Sequence, residues 1–331
     1  MKKIVTIGGG SGQFALLSGL RDEAGIHLTA VVSMVDSGGS TGRLRDELGI
    51  LPPGDALKCI LALSPFQETA RALLLKRFRQ DPRLRGHNAG NMLLTMLSRY
   101  IGSFPAGIQA LAEILDVRGD ILPVTIDKAT LVARLTNGNH VYGESAIDVP
   151  RGNQREKIQE VFLVPHHSDA ISVYPPVISA IREADHVIIG PGDLFTSIFS
   201  NLVVPGVCQV LRETRAKLLY VLNIMTKFGE THNFMGRDFV GTLETCLERK
   251  VDGVVANTRR PDADLLTKYA GQKAEFVICD FRDPSWSGRA VYSADLLETS
   301  GGIVRHDAKK LAALIMRITS GEQEPDPCPA D

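Results

Sequence analysis

Asp36, Ser37, Gly38, Gly39, Ser40, Thr41, Gly42, Arg43, Leu44 and Arg45 place a carboxylate, three glycines, several hydroxyls and two arginines within ten residues. Small residues let backbone N–H groups approach an anion closely, and such stretches make anion-binding nests. The arginines can clamp phosphate oxygens bidentately, while Asp36 can ligate a cation or accept from a sugar hydroxyl. The plainer alternative is a flexible surface loop with a solvated charge pair. Two neighbouring features favour phosphate handling: the apolar run that leads into the loop, and a second glycine cluster near the N-terminus.

Positioning these groups requires strands and helix starts. Leu28 to Val35 is short and β-branched enough to be a strand buried on both faces. Ile4 to Ile7 reads as another buried strand, Gly8-Gly9-Gly10-Ser11-Gly12 as a turn, and Gln13 to Arg21 as a helix through Phe14, Leu17 and Leu20. This is the layout of a loop that seats pyrophosphate on a helix N-terminus. Gln13 stands where a dinucleotide fingerprint needs its third glycine, and no P-loop lysine is present, so nicotinamide binding is weakly supported. Parallel neighbouring strands would bring Gly9, Gly10, Ser11 and Gly12 beside the Asp36 loop.

Further candidates follow along the chain. Leu51-Pro52-Pro53-Gly54-Asp55 stops the chain, and Asp55 either caps a helix from Ala56 to Leu63 or meets a ligand. Helices are expected over Phe66 to Phe78, over Asn88 to Ile101 and, capped by Ser103, over Phe104 to Val117. Gly86-His87-Asn88-Ala89-Gly90-Asn91 opens the second of these, where His87 with the Asn88 and Asn91 amides suits an anion or a base as well as a structural cap. Gly190-Pro191-Gly192-Asp193-Leu194-Phe195-Thr196-Ser197 is a third glycine loop at a strand end, after His186 to Ile189. Leu218 to Asn223 is a strand whose polar tip carries Lys227, Glu230 and His232.

The character changes between about 120 and 165, where Ile121 to Ile126, Thr130 to Leu135, Val141 to Gly143 and Lys157 to Val164 read as short strands. Asn137-Gly138 marks a hairpin between two of them. We read 1–319 as one α/β domain carrying this β-rich insertion, and 320–331 as a flexible tail. His166-His167 lacks further metal spacing and reads as surface loop. The alternation resumes with helices Pro175 to Ala184, Gly236 to Arg249, Asp262 to Tyr269 and Ala308 to Thr319. Strands are expected at Gly253 to Asn257 and Glu275 to Cys279.

The 331 residues are 44% hydrophobic and 23% charged with net charge -1, which gives no bulk electrostatic argument for nucleic-acid or membrane binding. Five cysteines without CxxC or metal spacing read as reduced and structural. No signal-peptide pattern or membrane-length apolar run appears, so a cytoplasmic protein is expected. A symmetric dimer is the default oligomer.

These motifs, with Asp46-Glu47-Leu48-Gly49-Ile50-Leu51-Pro52-Pro53-Gly54-Asp55, Asn223-Ile224-Met225-Thr226 and Arg305-His306-Asp307, resemble the 2-phospho-L-lactate transferase superfamily. Within it, they resemble the bacterial gluconeogenesis-factor family, UPF0052, from Lys3 to about Thr319. The resemblance implies a Rossmann-like fold with a mostly parallel sheet flanked by helices and a nucleotide pocket at the strand ends. The implied ligand contacts are Gly10, Ser11 and Gly12 against phosphate or ribose, with Asp36 in the family's acidic loop. Many relatives carry Asp-Asp where this chain has Asp36-Ser37. Two functions follow as expectations. One is a UDP-sugar-binding regulator of cell shape and wall synthesis under gluconeogenic growth, acting on a cell-wall-synthesis protein partner. The other is a phospholactyl transferase working on a nucleotide-activated donor, in which Asp36 is catalytic and holds Mg²⁺.

Overall fold

The computed structural model describes residues 1–81, 83–152, 154–166 and 170–326. From the N-terminus, β1 (Lys2–Gly8) turns into α1 (Gly10–Leu20), and β2 (Ile26–Val32) leads to α2 (Gly39–Leu48). Helices α3 (Gly54–Leu63), α4 (Gln67–Leu74), α5 (Ala89–Ile101) and α6 (Phe104–Ile114) precede β3 (Asp120–Pro123). Next come β4 (Ala129–Leu135), β5 (His140–Tyr142), α7 (Glu144–Asp148) and β6 (Ile158–Pro165). Then α8 (Pro175–Glu183) and β7 (His186–Ile189) lead to a π-helical turn, Leu194–Phe199, that continues as α9 (Ser200–Leu202). The chain finishes with α10 (Val207–Glu213), β8 (Lys217–Val221), α11 (Gly236–Leu247), β9 (Gly253–Asn257), α12 (Ala263–Gly271), β10 (Ala290–Ala294) and α13 (Ala308–Ser320).

Seven strands pair in parallel in the order β10-β9-β8-β7-β1-β2-β3. Alternate side chains of these strands enter two separate cores, as the period of two requires. Val5, Ile7 and Val31 pack on one face with Val177, Leu211 and Phe239. Ile4, Leu28, Ala30 and Val32 pack on the other with Leu16, Ile60 and Ile315. Both faces are thus covered, which explains why the strands read as continuous apolar runs. The chain steps from β1 outward to β2 and β3, then returns to β7 on the opposite side of β1. Open α/β sheets bind ligands at such a reversal, outside the carboxyl ends of the strands.

The small antiparallel sheet has the order β5-β4-β6 and buries Leu131, Ala133 and Val161 in the first core. Its hairpin forms as expected, with Gly138 N–H donating to the Leu135 carbonyl at 2.9 Å. β3, which the sequence groups with this insertion, instead pairs with β2 as an edge of the main sheet.

Several local expectations are corrected. The glycine–serine loop after β2 is short, because Gly38 is already the N-cap of α2 and Gly42 N–H donates to the Gly38 carbonyl at 2.9 Å. Asp55 is not a cap: Pro53 holds that position, and no side chain caps α3. The helix expected to reach Phe78 stops at Leu74, because Phe78 N–H donates to the His87 carbonyl at 2.9 Å in a hairpin-like turn. Glu275 to Cys279 is no strand of the sheet. It pairs instead with the loop after β8, where Thr226 N–H donates to Glu275 and Val277 N–H to Ile224. The outer strand is β10, which the sequence reading missed, together with α7 and α10. Beyond α13, Asp326 joins β10, accepting from Ser293 N–H at 2.8 Å. His167 and Cys328 lie outside the described residues. Among the described residues, no single helix is long and apolar enough to cross a membrane.

Candidate functional site

The loops after β1, β7 and β8 converge on a cleft of about 650 Å³ at the point where the strand order reverses. Gly9, Gly10, Ser11 and Gly12 form one wall, Gly192 and Asp193 a second, and Asn223 with Lys227 a third. Gly9 precedes α1 and supplies no side-chain cap of its own; the Asp55 carboxylate accepts from Gly10 N–H, and Ser11 and Gly12 of the first turn line the cleft beside it. Gly12 has a packing reason for lacking a side chain, since a Cβ there would lie 2.2 Å from the Pro191 carbonyl oxygen. Gly190 holds the opposite turn, its N–H donating to the Ile7 carbonyl at 2.9 Å. Asn223 donates its amide N–H to the Gly192 carbonyl at 2.9 Å, while its Oδ1 is buried without a protein partner.

Gln13 explains the broken glycine fingerprint. Its Nε2 donates to Thr6 Oγ1 and to the Val31 carbonyl, both at 3.1 Å, and its Oε1 lies 3.6 Å from the Cys59 thiol. The residue is fully buried and ties β1, β2 and α3 together. It stabilises the loop from beneath and makes no contact with the cleft.

An adjoining cavity of about 300 Å³ opens from Gly10 and Ser11 and is lined by Ser33, Asp36, Asp55, Lys58, Glu144, Asp148, Asp193, Thr196 and Lys227. Asp55 accepts from Gly10 N–H at 3.2 Å and from Lys58 Nζ at 2.8 Å, which links the first glycine loop to this cavity. Asp36 accepts from Gly38 N–H at 2.8 Å. Burial, reinforced by the Asp55 charge, pushes its carboxyl above the usual range. Glu144 enters from α7, accepting from Ser145 Oγ at 3.1 Å and Ser37 N–H at 3.4 Å. Burial, with Asp36 and Asp148 nearby, raises it to about 7. Ser37 Oγ accepts from Ser145 N–H at 2.9 Å, so the Asp36 loop and α7 hold each other.

Deeper in the site stands a group of three carboxylates, Asp148, Asp193 and Glu230, with one oxygen of each within 4.8 Å of the others. Lys227 Nζ lies between them, ion-paired with Asp148, 2.7 Å from Asp193 and 3.4 Å from Glu230. Burial opposes the charge on Lys227, but the three acids outweigh it and hold the ammonium protonated. Glu230 is buried and accepts from Phe195 N–H at 3.1 Å, Thr196 N–H at 3.2 Å and Thr196 Oγ1 at 3.1 Å. Burial, with Asp193 and Asp148 beside it, raises its carboxyl.

The remaining candidates come together elsewhere. Ser40 Oγ lies 2.9 Å from His87 Nδ1, and Asn91 Nδ2 donates to Ser40 Oγ and Thr41 Oγ1, both at 3.3 Å. Asn88 caps α5 by accepting from Asn91 N–H at 2.7 Å. Arg43 donates to the Arg85 carbonyl at 2.6 Å. This network joins α2 to α5, and with Gly39 it lies outside the linings of both cavities. It fixes the helix that follows Asp36. Burial, with Arg43 nearby, pushes His87 below the usual histidine range.

Asp55, Lys58, Glu144, Asp148, Lys227 and Glu230 are site residues that the candidate set lacked. Lys227 and Glu230 are visible as a polar strand tip, and Asp55 as a ligand alternative to a cap. Nothing local marks Glu144 and Asp148, which reach the site only because β4, β5 and α7 fold over it. As cation ligands the three-acid group has the hard oxygen donors that Mg²⁺ prefers, provided Lys227 turns aside. Asp36 belongs instead to the neighbouring set with Asp55 and Glu144.

Comparison with known proteins agrees with this architecture. Residues 4–297 match the family described as 2-phospho-L-lactate transferase CofD. The chain is 41% identical over 328 residues to the "Putative gluconeogenesis factor" of Aquifex aeolicus, covering 97% of this chain and 98% of that protein. It is 36% identical over 317 residues to the "Gluconeogenesis factor" of Bacillus subtilis, covering 96% and 98%. The crystal structure of protein BH3568 from Bacillus halodurans superposes with a TM-score of 0.89 at 35% identity, over 95% of this chain and 99% of that one. A second structure of that protein describes it as a member of the UPF0052 family. Fold, glycine loops and near full-length identity together place this chain in the CofD family, among the bacterial gluconeogenesis factors.

Proposed function

We propose that the chain is a cytoplasmic regulatory protein that binds a sugar nucleotide of the UDP-sugar class. It passes the ligand state to a partner in cell-wall synthesis and so bears on cell shape under gluconeogenic growth. The observation that carries this reading is the joined pair of cavities at the strand reversal, with the glycine-rich first turn of α1 on one wall and the Lys227 ammonium opposite. A helix N-terminus and a fixed cation suit a diphosphate. The flanking cleft has room for a nucleoside and a sugar. Asp148, Asp193 and Glu230 hold the Lys227 ammonium in a fixed position beside the cleft.

A metal-dependent 2-phospho-L-lactate transferase-like activity is the second reading. The acid excess favours it, since Asp36, Glu144 and Glu230 are all raised by burial and by the charge of neighbouring carboxylates, Asp55 for Asp36, Asp36 and Asp148 for Glu144, and Asp193 and Asp148 for Glu230. A divalent cation bound by Asp148, Asp193 and Glu230, or by Asp36 and its neighbours, would neutralise charge between phosphates and leaving group. Asp36→Ala should weaken UDP-N-acetylglucosamine binding at least tenfold by calorimetry; unchanged affinity removes Asp36 from the site. Phospholactyl transfer to a deazaflavin acceptor, present with Mg²⁺ and abolished by chelation, would replace the regulatory reading with the enzymatic one.

A further inference from the structure

Cys208 and Cys246 are 38 residues apart and carry no CxxC signature, yet α10 and α11 bring their sulfurs to 2.9 Å. Both are partly exposed, unlike the buried Cys59. A disulfide needs its sulfurs at about 2.05 Å, so the gap to be closed is under about 1 Å. The two helices are already clamped around the pair. Arg212 of α10 is ion-paired with Glu248 just beyond α11, and Arg249 donates to the Leu211 carbonyl at 3.3 Å and the Thr214 carbonyl at 3.2 Å. The segment between the two cysteines contains β8 and the loop bearing Asn223, Lys227 and Glu230. A bond between them would close a covalent ring around that wall of the cleft.

We propose that Cys208 and Cys246 form a reversible dithiol–disulfide modification site, oxidised by a low-molecular-weight disulfide. One of the pair, as thiolate, attacks a sulfur of the reagent, breaking its S–S bond and expelling one thiolate. The second thiol then loses its proton and attacks the protein-bound sulfur, expelling the other reagent thiolate. Two protein thiols are oxidised, one disulfide is reduced to two thiols, and the two protons end on the released thiols. Either sulfur can act first, because at 2.9 Å the thiol of one can donate to the thiolate of the other.

The test is to incubate the whole protein with oxidised glutathione, block the remaining thiols, and map cross-linked peptides by mass spectrometry. The expected result is a Cys208–Cys246 peptide pair, loss of two free thiols, and full recovery of both with dithiothreitol. Cys208→Ser and Cys246→Ser should each give no internal cross-link and instead hold one glutathione on the remaining cysteine. The oxidised wild type should melt several degrees higher than the reduced form, a shift absent from both variants. A cross-link through Cys279 or Cys328, or five unchanged free thiols after prolonged exposure, would overturn the proposal. None of these readouts depends on nucleotide binding.

Discussion

At the residue scale, the instructive position is Gln13. In sequence it is only a missing glycine, because nothing local shows that its amide reaches Thr6 and Val31. Gln13→Leu should therefore destabilise the fold by about 2 kcal/mol in urea unfolding, the usual consequence of stranding buried partners. An unchanged midpoint would mean that the amide contributes nothing to holding β1 and β2. Glu144 gives a pH signature. Its folded value, about 7, lies above that of an exposed carboxylate, so the folded state disfavours the ionised form. The resulting penalty is absent below about pH 4.5, grows as pH rises and is complete above about pH 7. Glu144→Gln should accordingly stabilise the protein by about 2 kcal/mol at pH 8 and leave it unchanged at pH 4. Equal effects at the two pH values would contradict the assigned cause. Gly9, Gly10, Gly12, Gly192, Asp36, Asp193 and Asn223, which line the two cavities, were legible as candidates because each follows a readable strand. Glu144 and Asp148 were not, since only tertiary folding brings them near.

At the element scale, the βα alternation was readable wherever both faces of a strand are buried, as in β1, β2, β7, β8 and β9. It failed where tertiary contacts decide. Glu275 to Cys279 has strand-like residues, but it pairs with Ile224 and Thr226 and so props the site loop. β10 takes the sheet position beside β9 instead. Ser40 and Thr41 look like loop hydroxyls, yet they lie in the first turn of α2 and are held by His87 and Asn91 of the next layer. A tight fit between elements is that of α1 against the loop after β7. Gly12→Ala would put a methyl into the Pro191 carbonyl. It should cost more than about 2 kcal/mol of stability and open the cleft wall, visible as a lowered thermal midpoint together with weaker nucleotide binding. A variant of normal stability and affinity would show that the two loops yield easily.

For the whole molecule, net charge conceals what the site contains. The chain carries -1 overall, while Asp36, Asp55, Glu144, Asp148, Asp193 and Glu230 crowd around Lys58 and Lys227. Composition cannot report such segregation. The excess acid predicts that Mg²⁺ stabilises the protein more at pH 8, where raised carboxyls such as Glu144 are ionised, than at pH 5, where they hold protons. Thermal melts in Mg²⁺ and in chelator at both values check this, and a pH-independent shift would contradict it. The central claim is that the two joined cavities receive the diphosphate of a sugar nucleotide between α1 and Lys227. Its most direct test is calorimetric titration of wild type and Lys227→Met with UDP-N-acetylglucosamine, with and without Mg²⁺. The account predicts saturable one-to-one binding to the wild type in chelator and at least tenfold weaker binding to Lys227→Met. No binding to the wild type under either condition, or equal affinity in the two proteins, would contradict it.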